Sequence, residues 1–410
     1  MGVSMPDQKE RHIGARIREL RAIRDFSLTE LCRLAHVSTS QLSRVENGER
    51  PASPSVLASV ARALGVTLSV LHGQPYIHML QKDQLDRLLA PISSALDAWD
   101  IPPEDGTPVR SLDDLAMRTG HIAALRAQGE FGDVAEALPE LIADTAVAVQ
   151  RYSAPGRDRE RAHNMQSEVA RTTAIIAYRL GFMELARLAL ARMAMAAPQS
   201  GDPRQVAVER YERAVITHAE TSRPDRGVAL IKQALRDLHD DGDASTMAVR
   251  GTLLLRASAL SAVQRDHSAA EDWLGQASEL AEAGAALDAA AEPPGERYAL
   301  AFGDLNVALG RLDVAMYKDD HEEALRVATT VRLPDSYQPT RVAGFLIRKA
   351  SAEAWTAHNE DALESLEQAR QTAPQLTRYH PDVHETVGTL LRARKRAPDK
   401  LREFAAWSGV

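Results

Sequence analysis

Residues 27–65 read SLTELCRLAHVSTSQLSRVENGERPASPSVLASVARALG, and this stretch decides the fold of the front of the chain. Ser27 precedes Leu28, Leu31, Cys32 and Ala35, an apolar set at helical spacing, and Glu30 follows Ser27 by three residues as in a capping box. Ser38 opens a second short helix in which Leu42 and Val45 point inward, leaving Thr39, Ser40, Gln41 and Arg44 outward. A turn at His36 and Val37 joins the two. Gly48 stands where a helix end often needs a positive φ, and Arg50-Pro51 cannot continue a helix. Ser53 and Pro54 suit the start of a further helix, with Val56, Leu57, Val60, Ala61 and Leu64 as its apolar stripe and Gly65 as its stop. Two short helices joined this way present the outer face of the second as a narrow rod of a size to enter the major groove of DNA.

Upstream, HIGARIRELRAIRDF places Ile13, Ile17 and Leu20 on one stripe, with Arg16, Arg18, Arg21 and Arg24 on other faces. Downstream, TLSVLHG returns Leu68 and Leu71 to the same core. Five short helices can just enclose one core. From Ile13 to Leu71 the chain resembles the Cro/C1-type, lambda-repressor-like (XRE) helix-turn-helix family, in the Leu31 and Ala35 pair, Val37-Ser38, the Ser43 to Glu46 block, Gly48, Pro54 and Leu64-Gly65. The resemblance implies base contacts from Thr39, Ser40, Gln41 and Arg44, and two-fold dimers on palindromic operators. Backbone phosphates then fall to Arg16, Arg18, Ser27, Thr29, Ser38, Ser43 and Asn47. One departure stands out: many relatives open the second helix with a glutamine that contacts the DNA backbone, and here that place holds Leu28, so anchoring passes to Ser27 or Thr29.

These residues also have plainer readings. Gln41 is equally an exposed helix former, Arg44 can touch phosphate instead of guanine, and the arginines of the first helix can be a solvated face. Glu46 reads as a structural partner for an arginine or a helix end, because a carboxylate is repelled by phosphate. Cys32 reads as a small core residue.

Charge is distributed unevenly. The 410-residue chain carries a formal net charge of -8, yet residues 1–75 hold 10 Lys and Arg against 7 Asp and Glu, while the remainder holds 39 against 50. A weakly basic front on an acidic body favours nucleic-acid binding through one defined face. A single cysteine excludes an intrachain disulfide and a thiolate zinc cluster. No apolar run reaches the roughly 20 residues of a membrane span, Leu185 to Ala197 being broken by Arg187 and Arg192. The first dozen residues have no signal-type apolar segment. The expected setting is the cytoplasm, at the nucleoid when bound to DNA, with no membrane partner.

High alanine and 4% aromatic content point to an all-helical body. GQPY, at residues 73–76, interrupts the pattern; HMLQKDQLDRLLAPISSALDAW then reads as a connecting helix, and DIPPEDGTP as a linker. Beyond it, YRLGFMELARLALARMAM has a Leu-Gly step at 180 and 181 followed by alanines at 186, 189, 191 and 194, and ALGRLDVAMYKDDHEEALRVA and AEAWTAHNEDALESLEQARQTAP each give a helix, a polar turn and a second helix with an early alanine. Over 110–396 these units resemble degenerate tetratricopeptide repeats, which stack into a curved superhelix with a concave groove. The whole chain is similar to actinobacterial regulators with a Cro/C1-type head and a tetratricopeptide-like body, notably in TAPQLTRYHPDVHETVGTLLRA and AFGDLNVALGRLDVAM. That class and related peptide-sensing families imply a repeat body that dimerises and takes up a peptide or small effector.

The expected architecture is therefore all-α: a five-helix lambda-repressor-like DNA-binding domain (9–73), a connecting helix and linker (74–107), and a tetratricopeptide-like α-solenoid (108–410). Candidate effector contacts are Tyr178, Arg179, Tyr211, Arg297, Tyr298, Asn306 and Arg341, with an interhelical hydrogen bond as the plain reading of Asn306. Arg378 to Pro381 reads as an ordered terminus, and Arg392, Arg394, Lys395 and Arg396 as a solvated helix end. No phosphate loop, HExxH or paired cysteines occur, His380 and His384 lack a third ligand, and DGD at 241–243 reads as a turn. No enzyme activity, cofactor or metal is expected. The functional expectation is a homodimeric, effector-modulated transcription regulator on double-stranded DNA. The alternatives are a DNA-tethered adaptor whose repeats recruit a protein, or a head that has itself become a protein-binding module.

Overall fold

The computed structural model describes residues 12–73, 82–101, 110–221, 223–288, 302–393 and 397–410. The protein is all-α, with no strand among the described residues, and consists of a five-helix head followed by a helical-repeat solenoid. The head comprises α1 (Ile13–Ile23), α2 (Leu28–Ala35), α3 (Thr39–Glu46), α4 (Pro54–Leu64) and α5 (Leu68–His72).

Each helix of the head begins on a side-chain cap that satisfies an otherwise orphaned amide. His12 caps α1, Ser27 and Glu30 form a reciprocal capping box on α2, and Ser38, Ser53 and Thr67 cap α3, α4 and α5. His36 ends α2 in the left-handed region, which turns the chain sharply into α3. Ile17, Leu31, Leu42, Val56, Val60, Leu64 and Leu71 close the core with almost no exposure. Cys32 is buried within it, and burial pushes its thiol above the ordinary range.

Downstream, α6 (Lys82–Asp97) carries Leu89, Ile92 and Leu96 into the core of the repeat body and packs on α8 and α10, so the expected connecting helix is an outer layer of that body. Among the described residues six antiparallel hairpins follow: α7 (Leu112–Gln128) with α8 (Phe131–Arg151), α9 (Arg157–Arg179) with α10 (Met183–Ala196), and α11 (Pro203–Thr221) with α12 (Pro224–Asp237). The second three are α13 (Ala244–Val263) with α14 (His267–Asp288), α15 (Asp304–Tyr317) with α16 (His321–Thr330), and α17 (Pro339–Trp355) with α18 (Asn359–Thr372). Three short helices, α19 (Pro374–Tyr379), α20 (Pro381–Arg392) and α21 (Asp399–Ser408), cover the last hairpin. Alanines that are fully buried, such as Ala174, Ala186, Ala189, Ala257 and Ala350, let these helices cross closely.

The first helix of each hairpin touches the first helix of the next, and α17 touches α7 in turn, so the solenoid closes into a ring. Polar contacts hold the seam. The Thr340 hydroxyl donates to the Ala127 carbonyl at 2.8 Å, and the Gly132 amide donates to Gln375 Oε1 at 3.0 Å. The sequence led us to expect a concave groove; the closure itself comes from contacts more than two hundred residues apart.

Within the head, α1 and α3 cross at Gly14, where an added Cβ would lie 1.8 Å from the Val45 carbonyl oxygen. Alanine in place of a helical glycine ordinarily stabilises by about 0.5–1 kcal/mol. At this crossing the backbones must separate, so Gly14→Ala is expected to destabilise the head by about 2 kcal/mol, the scale of overpacking. Chemical denaturation of the variant measures it; a midpoint at or above that of the parent would show that the crossing is not tight.

Candidate nucleic-acid interface

The candidate reading helix, α3, is held from beneath. Glu46, at its last turn, is 3% exposed and accepts both Nε and Nη2 of Arg21 at 2.8 Å. Arg21 also donates to the Phe26 carbonyl, at 3.0 Å, and the pairing with Glu46 holds its guanidinium above its ordinary value. A bidentate Arg–carboxylate pair fixes orientation as well as distance. Arg18 Nη2 adds bonds to the Glu46 carbonyl at 2.7 Å and to Asn47 Oδ1 at 2.5 Å. The plain structural reading of Glu46 matches this arrangement.

With Leu42, Val45 and Glu46 turned inward, Thr39, Ser40 and Arg44 are exposed and Gln41 is half-buried on the outer face of α3. These four positions share one side of a two-turn rod. Around its base lie Ser38, whose hydroxyl accepts the Gln41 amide at 3.2 Å, half-buried Ser43, and Asn47, which is exposed and anchored by Arg18. Ser27 and Thr29 are exposed at the start of α2. Arg18 is half exposed beside Asn47, whereas Arg16 turns toward α5 and donates from Nη1 to the Leu71 carbonyl at 2.8 Å. Arg16 therefore braces the head, and Arg18 is the first-helix arginine at the rim of the reading face.

The opposite side of the head is occupied by the ring. Ser55, Ala58, Ser59 and Arg62 lie opposite the apolar stripe of α4, and Ser55 and Ala58 are 2% and 1% exposed. The Ser55 hydroxyl donates to Asp319 Oδ2 at 3.1 Å, Arg50 stacks over Trp355 at 5.3 Å, and α5 packs on α11. A cavity of about 70 Å³ lies in this junction, lined from the head by Leu57 and His72 and from the ring by Tyr317, Arg348 and Trp355. Docking through α4 and α5 thus leaves the outer face of α3 uncovered.

The candidate effector residues scatter. Asn306 Nδ2 donates to the Tyr337 hydroxyl at 3.3 Å, and because Tyr337 lies in the connection between α16 and α17 the bond joins a helix to a loop and not two helices. The Tyr211 hydroxyl accepts from Arg256 at 3.2 Å on the inner face of the ring, while Arg341 lies at the seam and donates to Gln338 Oε1 at 3.1 Å. Tyr178 and Arg179 pair with each other at the end of α9, at 5.9 Å. Arg297 and Tyr298 lie outside the described residues. Among the described residues no group of His, Cys, Asp and Glu is placed to hold a metal ion, and no helix is long and apolar enough to cross a membrane. Asp243 of the DGD turn caps α13 through the Ser245 and Thr246 amides.

Residues 12–72 match a family described as a helix-turn-helix domain, the class that this head's geometry defines. Among solved structures the chain is similar to Bacillus thuringiensis PlcR in complex with the peptide PapR7 and DNA, at 14% identity and a TM-score of 0.32, over 68% of this chain and 98% of that one. No curated protein matches it.

His72 gives the docked junction a pH dependence. Burial lowers its pKa from 6.5 to about 4, with His380, Arg16 and His384 acting in the same direction and Asp382 against them. A separated head returns His72 to water and to an ordinary value near 6.5. The undocked form then binds more protons, so docking is at full strength above about pH 6.5 and weakens as pH falls toward 4. Small-angle scattering is expected to show a larger undocked fraction at pH 5 than at pH 7.5, and a weaker pH response in His72→Gln. The same profile at both pH values would refute this coupling.

Proposed function

We propose that the protein is a sequence-specific DNA-binding transcription regulator whose head reads the major groove through the outer face of α3. The observation that carries this reading is the combination of a rigidly held helix, fixed by the Arg21–Glu46 pair, with an outer face of Thr39, Ser40, Gln41 and Arg44 that neither head nor ring covers. Gln41 is of a type and length to bond adenine bidentately, and Arg44 to bond guanine or an adjacent phosphate. Arg18, Ser27, Thr29, Ser38, Ser43 and Asn47 surround that face and supply phosphate contacts, which set register without reading sequence. Arg16 reaches phosphate only on giving up its bond to Leu71.

A single head covers one half-site. The protein acts as a homodimer on a palindromic operator, with two-fold symmetry in the DNA mirroring that of the protein. The ring is the regulatory part: it grips the head on α4 and α5, so an effector that changes the junction or the ring shifts the population of heads oriented to fit both half-sites. A small molecule or peptide inside the ring fits this role.

Selection of genomic fragments by the full-length protein tests the reading. An inverted repeat is expected, with Gln41→Ala lowering discrimination between cognate and scrambled operators by about 1–3 kcal/mol. Equal losses on both sequences would reject base contact by Gln41, and the absence of any enriched sequence would reject sequence-specific binding. Arg18→Ala is expected to weaken both sequences alike and to reduce the salt slope by about one unit.

A further inference from the structure

Arginines recur on the inner face of the ring: Arg126 on α7, Arg171 on α9, Arg256 on α13 and Arg348 on α17. Two of the four have carboxylates. Arg171 Nε meets Glu212 Oε1 at 2.9 Å with Glu168 at 3.7 Å, and Arg348 Nε meets Asp313 Oδ1 at 2.5 Å. Among the described residues, Arg126 and Arg256 have only hydroxyls as acceptors. Arg126 Nη1 donates to Thr172 Oγ1 at 3.0 Å and Arg256 Nη2 to Tyr211.

Arg126 is the more confined, at 7% exposure. A guanidinium taken out of water with no carboxylate in contact is strongly unfavourable, and among the described residues its five donors meet one protein acceptor. Its surroundings add to the cost. Burial first, and then Arg171, lower its pKa to about 10, with Arg341 acting in the same direction and Glu168 and Glu212 only partly opposing; it is therefore still a cation at neutral pH. Arg341 belongs to α17, one residue after the Thr340 that closes the ring onto Ala127. Arg341, at the start of the last repeat hairpin, thus acts on Arg126, at the end of the first helix of the array, as a like charge at the closing seam.

The geometry points to an anion site at this seam, in which Arg126, together with Arg341, holds a carboxylate or phosphate group beside the Thr172 hydroxyl. The planar guanidinium fork suits either group. A bound anion replaces repulsion between α7 and α17 with a shared counter-charge, and so clamps the first hairpin to the sixth. The regulatory consequence rests on reading the ring as an effector domain; the binding itself does not.

Thermal unfolding of the full-length protein without DNA tests the site, in chloride, inorganic phosphate or acetate at matched ionic strength and pH 7.5. At 10 mM, the anion that fits is expected to raise Tm by about 2 °C, and comparison of the phosphate and acetate arms identifies which. Arg126→Met is expected to lose the shift, and Arg126→Lys, which keeps the charge without the fork, to retain part of it. Arg341→Met gives the same readout if Arg126→Met does not fold. An equal shift in parent and variants would mean an adventitious ion only, and no shift with either anion would also overturn the site. Operator binding by the same preparations separates the two ideas: intact binding without an anion shift rejects the site and leaves the regulator standing.

Discussion

One eleven-residue helix serves two interfaces, and the arrangement of the molecule depends on it. Along α4, Val56, Val60 and Leu64 complete the head core while Ser55 and Ala58, on the other side, are sealed against the ring. The second face is built of small and polar side chains, so two bodies approach closely there without an apolar stripe to hold them. What holds them is directional: Ser55 on Asp319 and Arg50 over Trp355. Because the outer face of α3 is not part of this docking surface, the same docking that fixes the head's orientation leaves Thr39, Ser40 and Arg44 exposed. The grip of the ring and the exposure of the outer face of α3 are consequences of one geometry.

Much of the head was legible in the sequence because its signals are local. Ser27 with Glu30, Ser38, Ser53 with Pro54, and Gly65 each announce a helix end within four residues, and the structure has a cap or stop at each. Glu46 was readable as structural from charge alone. The second face of α4 was not, since Ser55, Ala58 and Ser59 look like ordinary solvent-facing residues until something covers them. The same holds for α6: its amphipathic pattern declares a helix, and only the packing of Leu89, Ile92 and Leu96 shows which surface it joins.

In the body, periodicity and small residues were enough for paired helices and curvature. Closure was beyond reach, because it rests on Thr340, which stands in no motif, and on Gln375, whose string carries a resemblance but no sign of a distant partner, each meeting a residue near 130. Arg126 was missed for a related reason. It stands in the last turn of its helix, where a cation ordinarily complements the helix dipole at the surface, and nothing nearby in sequence shows that neighbouring helices enclose it. Tyr211 and Arg341, singled out from the sequence, do lie on the inner face or at the seam, but aromatic and basic type alone also selected Tyr178 and Arg179, which pair with each other.

The closed ring changes how this chain must acquire its structure. An open repeat array can begin folding at any unit and spread to its neighbours, since each unit touches only adjacent ones. Here the joint between Ala127 and Thr340 spans 213 residues, and the entropy of bringing those ends together falls due only once the hairpins between them have formed. Local assembly and final locking thus rest on contacts of different range, and an array not yet joined at this seam leaves the first and last hairpins uncapped by each other.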